Sequence, residues 1–114
     1  MKSDKVPALE VNEVVFQQQV IELAHVYGWK VAHFRPALRQ SGKWSTAVAA
    51  DGAGFPDLVL AHAERGVLFR ELKSNRGNLS LLQREWGELL RRAGGNYAVW
   101  RPRDWLEIEL QIKG

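Results

Sequence analysis

The sequence predicts a single α/β domain in which a mixed central sheet is flanked by helices. Three observations carry this. Apolar residues recur at helical spacing near the N-terminus, two short apolar β runs follow each other across a tight polar connection in the middle, and a second helical segment separates those runs from a third. The chain has 114 residues, enough for one domain and not for two. A domain of that size buries roughly two-thirds of its unfolded surface, so one ordinary core is feasible.

The elements follow in order. Residues 1–11 read as a loose arm punctuated by Pro7, and a helix is expected from Asn12, a good N-cap residue. Phe16, Val20, Leu23, Ala24 and Tyr27 form its apolar stripe, and Gly28 ends it. Lys30 to Phe34 reads as a short strand. Residues 35–55 contain Pro36, Gly42, Gly52 and Gly54 without a clear period and read as a long loop. Asp57 to Ala61 and Val67 to Lys73 read as strands joined by a short hairpin around Ala63 to Gly66. A second helix is expected from Leu81 to Ala93, opened by a Ser80/Gln83 capping box and stopped by Gly94-Gly95. Tyr97 to Trp100 reads as a third strand of this group. Asp104 and Glu107 suggest a capping box for a last helix ending near Ile112.

Composition narrows the chemistry. No apolar run approaches the ~18 residues that a membrane span needs. MKSDKVPALEVNE lacks the apolar core of a signal peptide, so a cytoplasmic protein is expected. The chain has no cysteine, so a metal here must be held by oxygen or imidazole, and oxygen ligands suit Mg²⁺ or Mn²⁺. Sixteen basic residues against thirteen acidic give a net charge of +3, weak support for a polyanionic partner. The segment from Arg35 to Lys43 is more telling, because it holds Arg35, Arg39 and Lys43 and no acid.

The chemistry centres on Gly54-Phe55-Pro56-Asp57 and Glu71-Leu72-Lys73. Strand side chains alternate, so Glu71 and Lys73 share one face and Leu72 points to the core. If the hairpin turns near Glu64 or Arg65, Asp57 pairs across from Glu71 to Lys73, with opposed Cβ atoms ~5 Å apart. Two carboxylates that close repel by about 4 kcal/mol at an effective dielectric near 20. A Mg²⁺ ion would relieve the repulsion, lower the pKa of a water and polarise a phosphate. Lys73 would orient the water or stabilise charge growing on the phosphate. The implied reaction is phosphodiester hydrolysis. The plain alternative is a cross-strand salt bridge on an exposed hairpin. Glu13 falls within about 40° of Val20, Ala24 and Tyr27 on a helical wheel, which places it on the buried side, where an acid needs a partner. The alternative for Glu13 is a first-turn acid favouring the helix dipole.

The run Glu13…Phe16…Gly54-Phe55-Pro56-Asp57…Glu71-Leu72-Lys73…Leu79-Ser80…Gln83…Trp86 resembles the virus-type replication-repair nuclease (VRR-NUC) family. That family belongs to the PD-(D/E)XK superfamily, whose archaeal-type Holliday junction resolvases share a similar pattern. The resemblance spans about Asn12 to Leu110. It implies a restriction-endonuclease-like PD-(D/E)XK core and a metal-dependent endonuclease acting on branched DNA. On this resemblance Asp57 and Glu71 are metal ligands, the Leu72 carbonyl completes the metal shell, Lys73 is the catalytic lysine, Glu13 is the helix-borne acid near the metal and Gln83 is the active-site glutamine. The resemblance and the chain's size also suggest a phage-encoded protein acting in a bacterial host.

Gln83 has a second reading, since a capping-box glutamine satisfies its own helix start, and the two roles can coexist. Arg35, Arg39, Lys43 and Trp44 suit phosphate contact and base stacking, with a solvated loop as the alternative. Arg76 and Lys2 are weaker DNA-binding candidates. Arg91 and Arg92 suit the end of the second helix electrostatically. His25, His33 and His62 are not at ligand spacing, and Trp86 is expected in the core. A junction has two symmetric strands to cut, so a C2 homodimer is expected. The competing functions are a nuclease for flaps or duplex DNA and a non-catalytic DNA-binding module on the same fold.

Overall fold

The backbone alternation of the central strands decides which residues face which layer. In a computed structural model the backbone is described for residues 5–34, 37–38, 44–45 and 49–114, and the side chains for residues 13–34 and 49–114. The elements are α1 (Lys5–Val26), β1 (Lys30–His33), β2 (Ala37–Leu38), β3 (Trp44–Ser45), β4 (Leu58–His62), β5 (Gly66–Leu72), α2 (Leu81–Arg92), β6 (Asn96–Trp100) and α3 (Trp105–Lys113). The main sheet has four strands in the order β1-β4-β5-β6. β1 and β5 run antiparallel to β4, whereas β6 is parallel to β5. Parallel neighbours need a crossover, and α2 supplies it. The molecule is therefore α/β with a mixed sheet and flanking helices, compatible with a PD-(D/E)XK-like nuclease fold.

Leu58 pairs with Arg70 and Leu60 with Leu68, so these four side chains share one face, joined by Leu72 and Trp100. Phe16, Val20 and Ala24 of α1 and Ile108 and Ile112 of α3 pack on that face and complete the buried core. The other face presents Val59, Phe69, Glu71, Tyr97 and Val99 toward α2. α2 approaches closely there because Gly87 has no side chain, and a Cβ at that position would lie 2.6 Å from Tyr97.

Three boundaries differ from the sequence reading. α1 begins at Lys5, so residues 5–11 are helical rather than a loose arm. Pro7 falls in the first turn, where its missing N–H has no acceptor to lose. The segment expected as one long loop contains a two-stranded ribbon pairing Ala37 with Ser45 and Leu38 with Trp44. Asp104 does not cap α3 with its side chain. Its carboxylate instead accepts the Arg101 N–H at 2.9 Å and closes the 3-10 turn Pro102–Asp104.

Arg70 was not anticipated as a core residue. It is 2% exposed on the α1/α3 face. Its guanidinium donates to the Asn96 carbonyl at 2.7 Å and to Asn96 Oδ1 at 3.0 Å, and lies 4.7 Å from the Trp100 ring centroid. Burial lowers its pKa to about 10, so it remains a cation at neutral pH, stabilised by the ring and the carbonyls.

Candidate active site

The hairpin between β4 and β5 turns over Ala63 to Arg65, with His62 paired to Gly66. Extending that register by one residue beyond Leu58 and Arg70 sets Asp57 opposite Glu71, as the sequence spacing anticipated. Asp57 Oδ2 accepts the Leu72 N–H at 2.9 Å, which ties one carboxylate oxygen to the neighbouring strand. The turn that delivers Asp57 is fixed by Gly54 and Phe55. Gly54 has φ +88°, and a Cβ there would come within 2.7 Å of Leu82, so the loop presses directly on α2. Phe55 is held edge-on by Phe34, Phe69 and Trp86 at centroid distances of 5.7, 6.2 and 5.0 Å. Trp86 also donates to the Asp51 carbonyl at 3.0 Å, so it is a half-buried brace for this turn rather than a fully buried core residue.

Glu71 is the unusual group. Its side chain is 2% exposed. Oε2 accepts from Gln83 Nε2 at 3.1 Å and lies 3.9 Å from Lys73 Nζ. Among the described residues, Oε1 is buried with no hydrogen-bond partner. Burial first, and the adjacent Asp57 carboxylate second, push the Glu71 pKa up to about 8 against a smaller opposing pull from Lys73. The same burial, with Glu71 nearby, raises the Tyr97 phenol. A buried carboxylate with a bare oxygen beside a second carboxylate is a poor arrangement unless a cation completes it.

Gln83 makes the capping-box contacts and also reaches Glu71. Its Oε1 accepts the Ser80 N–H at 2.8 Å while its own N–H donates to Ser80 Oγ at 3.2 Å. The capping bond fixes which end of the amide faces outward, so Nε2 is presented to Glu71. Lys73 leaves β5 with its N–H donated to the Trp100 carbonyl at 3.1 Å. The following loop is anchored by Arg101, whose Nη1 donates to the carbonyls of Ser74 at 2.6 Å and Gly77 at 2.7 Å. This anchor was missed in the sequence, where nothing signals a contact between residues 74–77 and 101.

Asp57, Glu71, Lys73 and Gln83 are thus gathered on the α2 side of the sheet. Glu13 is exposed rather than buried, and the described core begins only at Phe16, one turn further along α1. No group of three or more His, Asp or Glu side chains able to hold a metal occurs among the described residues. His33 pairs with Leu58, which turns it to the face opposite Glu71. His25 is exposed, and His62 Nδ1 accepts the Glu64 N–H at 3.1 Å. Arg76 is exposed at the tip of the loop after Lys73. Arg35, Arg39, Lys43 and Lys2 lie outside the described residues, as does the side chain of Trp44.

The sequence model of the VRR-NUC domain family matches residues 16–104. The chain belongs to that family. The matched span holds Asp57, Glu71, Lys73 and Gln83 and begins after Glu13. Membership of the VRR-NUC family implies a nuclease, with nucleic acid as its substrate. No curated protein and no solved structure matches the chain. Among the described residues of this VRR-NUC domain, no helix is long and apolar enough to cross a membrane.

The donor set suits a divalent metal of the hard class. Glu71 Oε1 and Asp57 offer oxygen ligands, and Mg²⁺ commonly uses one or two carboxylates, with waters and substrate phosphates filling the remainder. Two carboxylates in place of a three-acid cluster therefore remain a fitting site.

Proposed function

We propose that this VRR-NUC domain is a Mg²⁺- or Mn²⁺-dependent endodeoxyribonuclease that hydrolyses phosphodiester bonds at branched DNA. One observation carries the reading: a buried Glu71 with a bare Oε1 stands beside Asp57 and within 3.9 Å of the Lys73 ammonium. Asp57 and Glu71 are the metal ligands in this reading, with the Leu72 carbonyl as a third donor. A divalent cation held there supplies Lewis-acid polarisation of the scissile phosphate and a more acidic water.

The chain's own groups do the remainder. Gln83 Nε2 holds Glu71 Oε2 in place and leaves Oε1 for the cation. The Leu72 N–H holds Asp57. Lys73 Nζ lies 3.9 Å from Glu71 Oε2, and a Cβ at Gly77 would lie 3.4 Å from Lys73 Cδ, so the loop runs beside the lysine stem. The Lys73 ammonium orients the attacking water and compensates the charge that grows on the phosphate as the P–O bond breaks. Preorganisation of this kind is worth the most where water is excluded, and the 2% exposure of Glu71 meets that condition.

A four-way junction presents two cuttable strands, which favours a C2 homodimer as the working form. The test is cleavage of labelled four-way junction, flap and blunt duplex DNA with Mg²⁺, Mn²⁺ or EDTA. Metal-dependent cuts in the junction are expected. Cuts confined to flaps or duplex would retain the site and discard the junction substrate. Binding without cutting under either metal would replace the nuclease with a DNA-binding module.

A further inference from the structure

The alternation of β6 continues past its last paired residue. Arg101 follows Trp100 with an extended backbone, φ −125° and ψ 157°. The parallel register pairs Glu71 with Val99 and Leu72 with Trp100, and one further step sets Arg101 beside Lys73. The Lys73 N–H donates to the Trp100 carbonyl at 3.1 Å, which carries the hydrogen bonding to that point. Arg101 therefore shares the α2 side of the sheet with Val99, Glu71 and Lys73.

Only part of the Arg101 guanidinium is used by the fold. Its Nη1 donates to the carbonyls of Ser74 at 2.6 Å and Gly77 at 2.7 Å. Among the described residues, Nη2 and Nε have no acceptor. The guanidinium also has no carboxylate partner there, the one ion pair being that of Lys73 with Glu71. Asp104, the nearest acid in sequence, gives its Oδ2 to the Arg101 backbone N–H at 2.9 Å. The residue is half-buried.

We infer that Arg101 is a phosphate-binding residue of the site, whose free Nη2–Nε edge receives a DNA backbone phosphate alongside Lys73. The inference rests on the nuclease reading and deepens it by naming a substrate contact. Three features select a phosphate. A guanidinium edge offers two parallel N–H donors that match two phosphate oxygens. The cation stands next to Lys73, so a strand laid across the site meets both. The plane of the guanidinium is already set by the two carbonyls, and little rotamer freedom is left to lose on binding. The loop that supplies those carbonyls is itself held, because the Arg103 N–H donates to Asn75 Oδ1 at 2.9 Å and the Gly77 N–H to the Ser74 carbonyl at 3.3 Å.

The experiment is fluorescence anisotropy of a labelled blunt duplex in EDTA, with the full chain, over a series of salt concentrations. Arg101→Gln keeps an amide donor and removes the charge. It is expected to bind about 10-fold more weakly than the parent, the scale of one charge-assisted contact, and to lower the salt slope by about one. Arg101→Lys keeps the charge without the fork, so its affinity should fall while its slope stays at the parent value. Arg65→Gln is the control. Arg65 also donates to a backbone carbonyl, that of Ile112, but sits at the hairpin turn at the far end of β5, and its slope should be that of the parent. A guanidinium that only anchors the loop would leave both Arg101 variants with lower melting temperatures and the parent's slope and affinity, which would overturn the inference. An equal loss of slope in Arg65→Gln would assign the effect to net charge and overturn it too. If Arg101→Gln does not fold, the Arg101 Nε resonance of the parent is read instead, assigned by its disappearance in Arg101→Lys. It is expected to shift as duplex is added, and an unmoved resonance would overturn the inference. A parent that cuts DNA while Arg101→Gln binds with the parent's slope sinks the inference alone, whereas a parent that neither binds nor cuts DNA sinks the nuclease reading with it.

Discussion

Gln83 Nε2 donates to Glu71 Oε2 at 3.1 Å while Gln83 Oε1 accepts the Ser80 N–H at 2.8 Å, so one amide caps α2 and steadies a buried carboxylate at once. The two duties are separable. Gln83→Glu keeps an acceptor for the Ser80 N–H, as in the usual capping box, but sets a third carboxylate against Glu71. Ser80→Ala loses a side-chain cap at a cost of about 1 kcal/mol and retains the backbone bond to Gln83. Thermal melts and cleavage rates of the two variants should therefore move in opposite order. Ser80→Ala is expected to lose more stability and Gln83→Glu more cutting. Parallel losses would show that Gln83 acts through the helix alone.

The buried Glu71 predicts a pH signature. Its folded pKa of about 8 lies above the ordinary 4.5, so in metal-free protein the protonated form is the stable one. That contribution is fully present below the ordinary value and is lost as pH rises through about 8. Melting in EDTA across this range should show stability falling with pH, and the slope should flatten in Glu71→Gln. A divalent cation requires the ionised form, so binding below pH about 8 should release a proton. Calorimetry in buffers of different ionisation enthalpy reads that proton directly.

Much of the site was legible because it depends on strand alternation and hairpin length. Glu71 and Lys73 are two positions apart on one strand, which forces a shared face, and the polar stretch at Ala63 to Arg65 sets Asp57 across from them. Glu13 is exposed although a wheel projection puts it on the stripe's side of α1, because the projection gives angle without height and the described core begins only at Phe16. Arg70 and Arg101 were invisible for a related reason. Their partners, Asn96 and the loop at Ser74 to Gly77, are remote in sequence and are backbone carbonyls for the most part. No residue pattern encodes such acceptors.

The close approach of α2 predicts a steric test. A Cβ at Gly87 would lie 2.6 Å from Tyr97, and overpacking of this kind costs about 1–3 kcal/mol. Gly87→Ala should lower the melting temperature and, by pushing α2 outward, withdraw Gln83 from Glu71. The double variant Gly87→Ala/Tyr97→Phe relieves only the contact to the hydroxyl, because the ring carbon Cε2 remains. Recovery is expected with Tyr97→Leu instead. Full stability in Gly87→Ala alone would mean that α2 rides further from the sheet.

Asp57→Asn is the most economical probe of the metal pair. It retains an acceptor for the Leu72 N–H, which is donated at 2.9 Å in the parent, and removes one of two adjacent negative charges. Above pH about 8, where Glu71 is ionised too, metal-free stability should rise modestly, since a like-charge contact is relieved. Mn²⁺ binding should weaken by about 10-fold or more, and the stabilisation that Mn²⁺ confers on the parent should shrink with it. A parent-like response to Mn²⁺ would place the metal elsewhere.

The most direct measurement is single-turnover cleavage of an end-labelled branched DNA in Mg²⁺ or Mn²⁺, comparing the parent with Asp57→Asn and Lys73→Met after all three are shown to be folded. The account predicts cutting by the parent that EDTA abolishes, and losses of about 10²-fold or more in both variants, the scale at which a single preorganised electrostatic group acts. Cutting that survives EDTA, or that persists at the parent rate in Asp57→Asn, would contradict it.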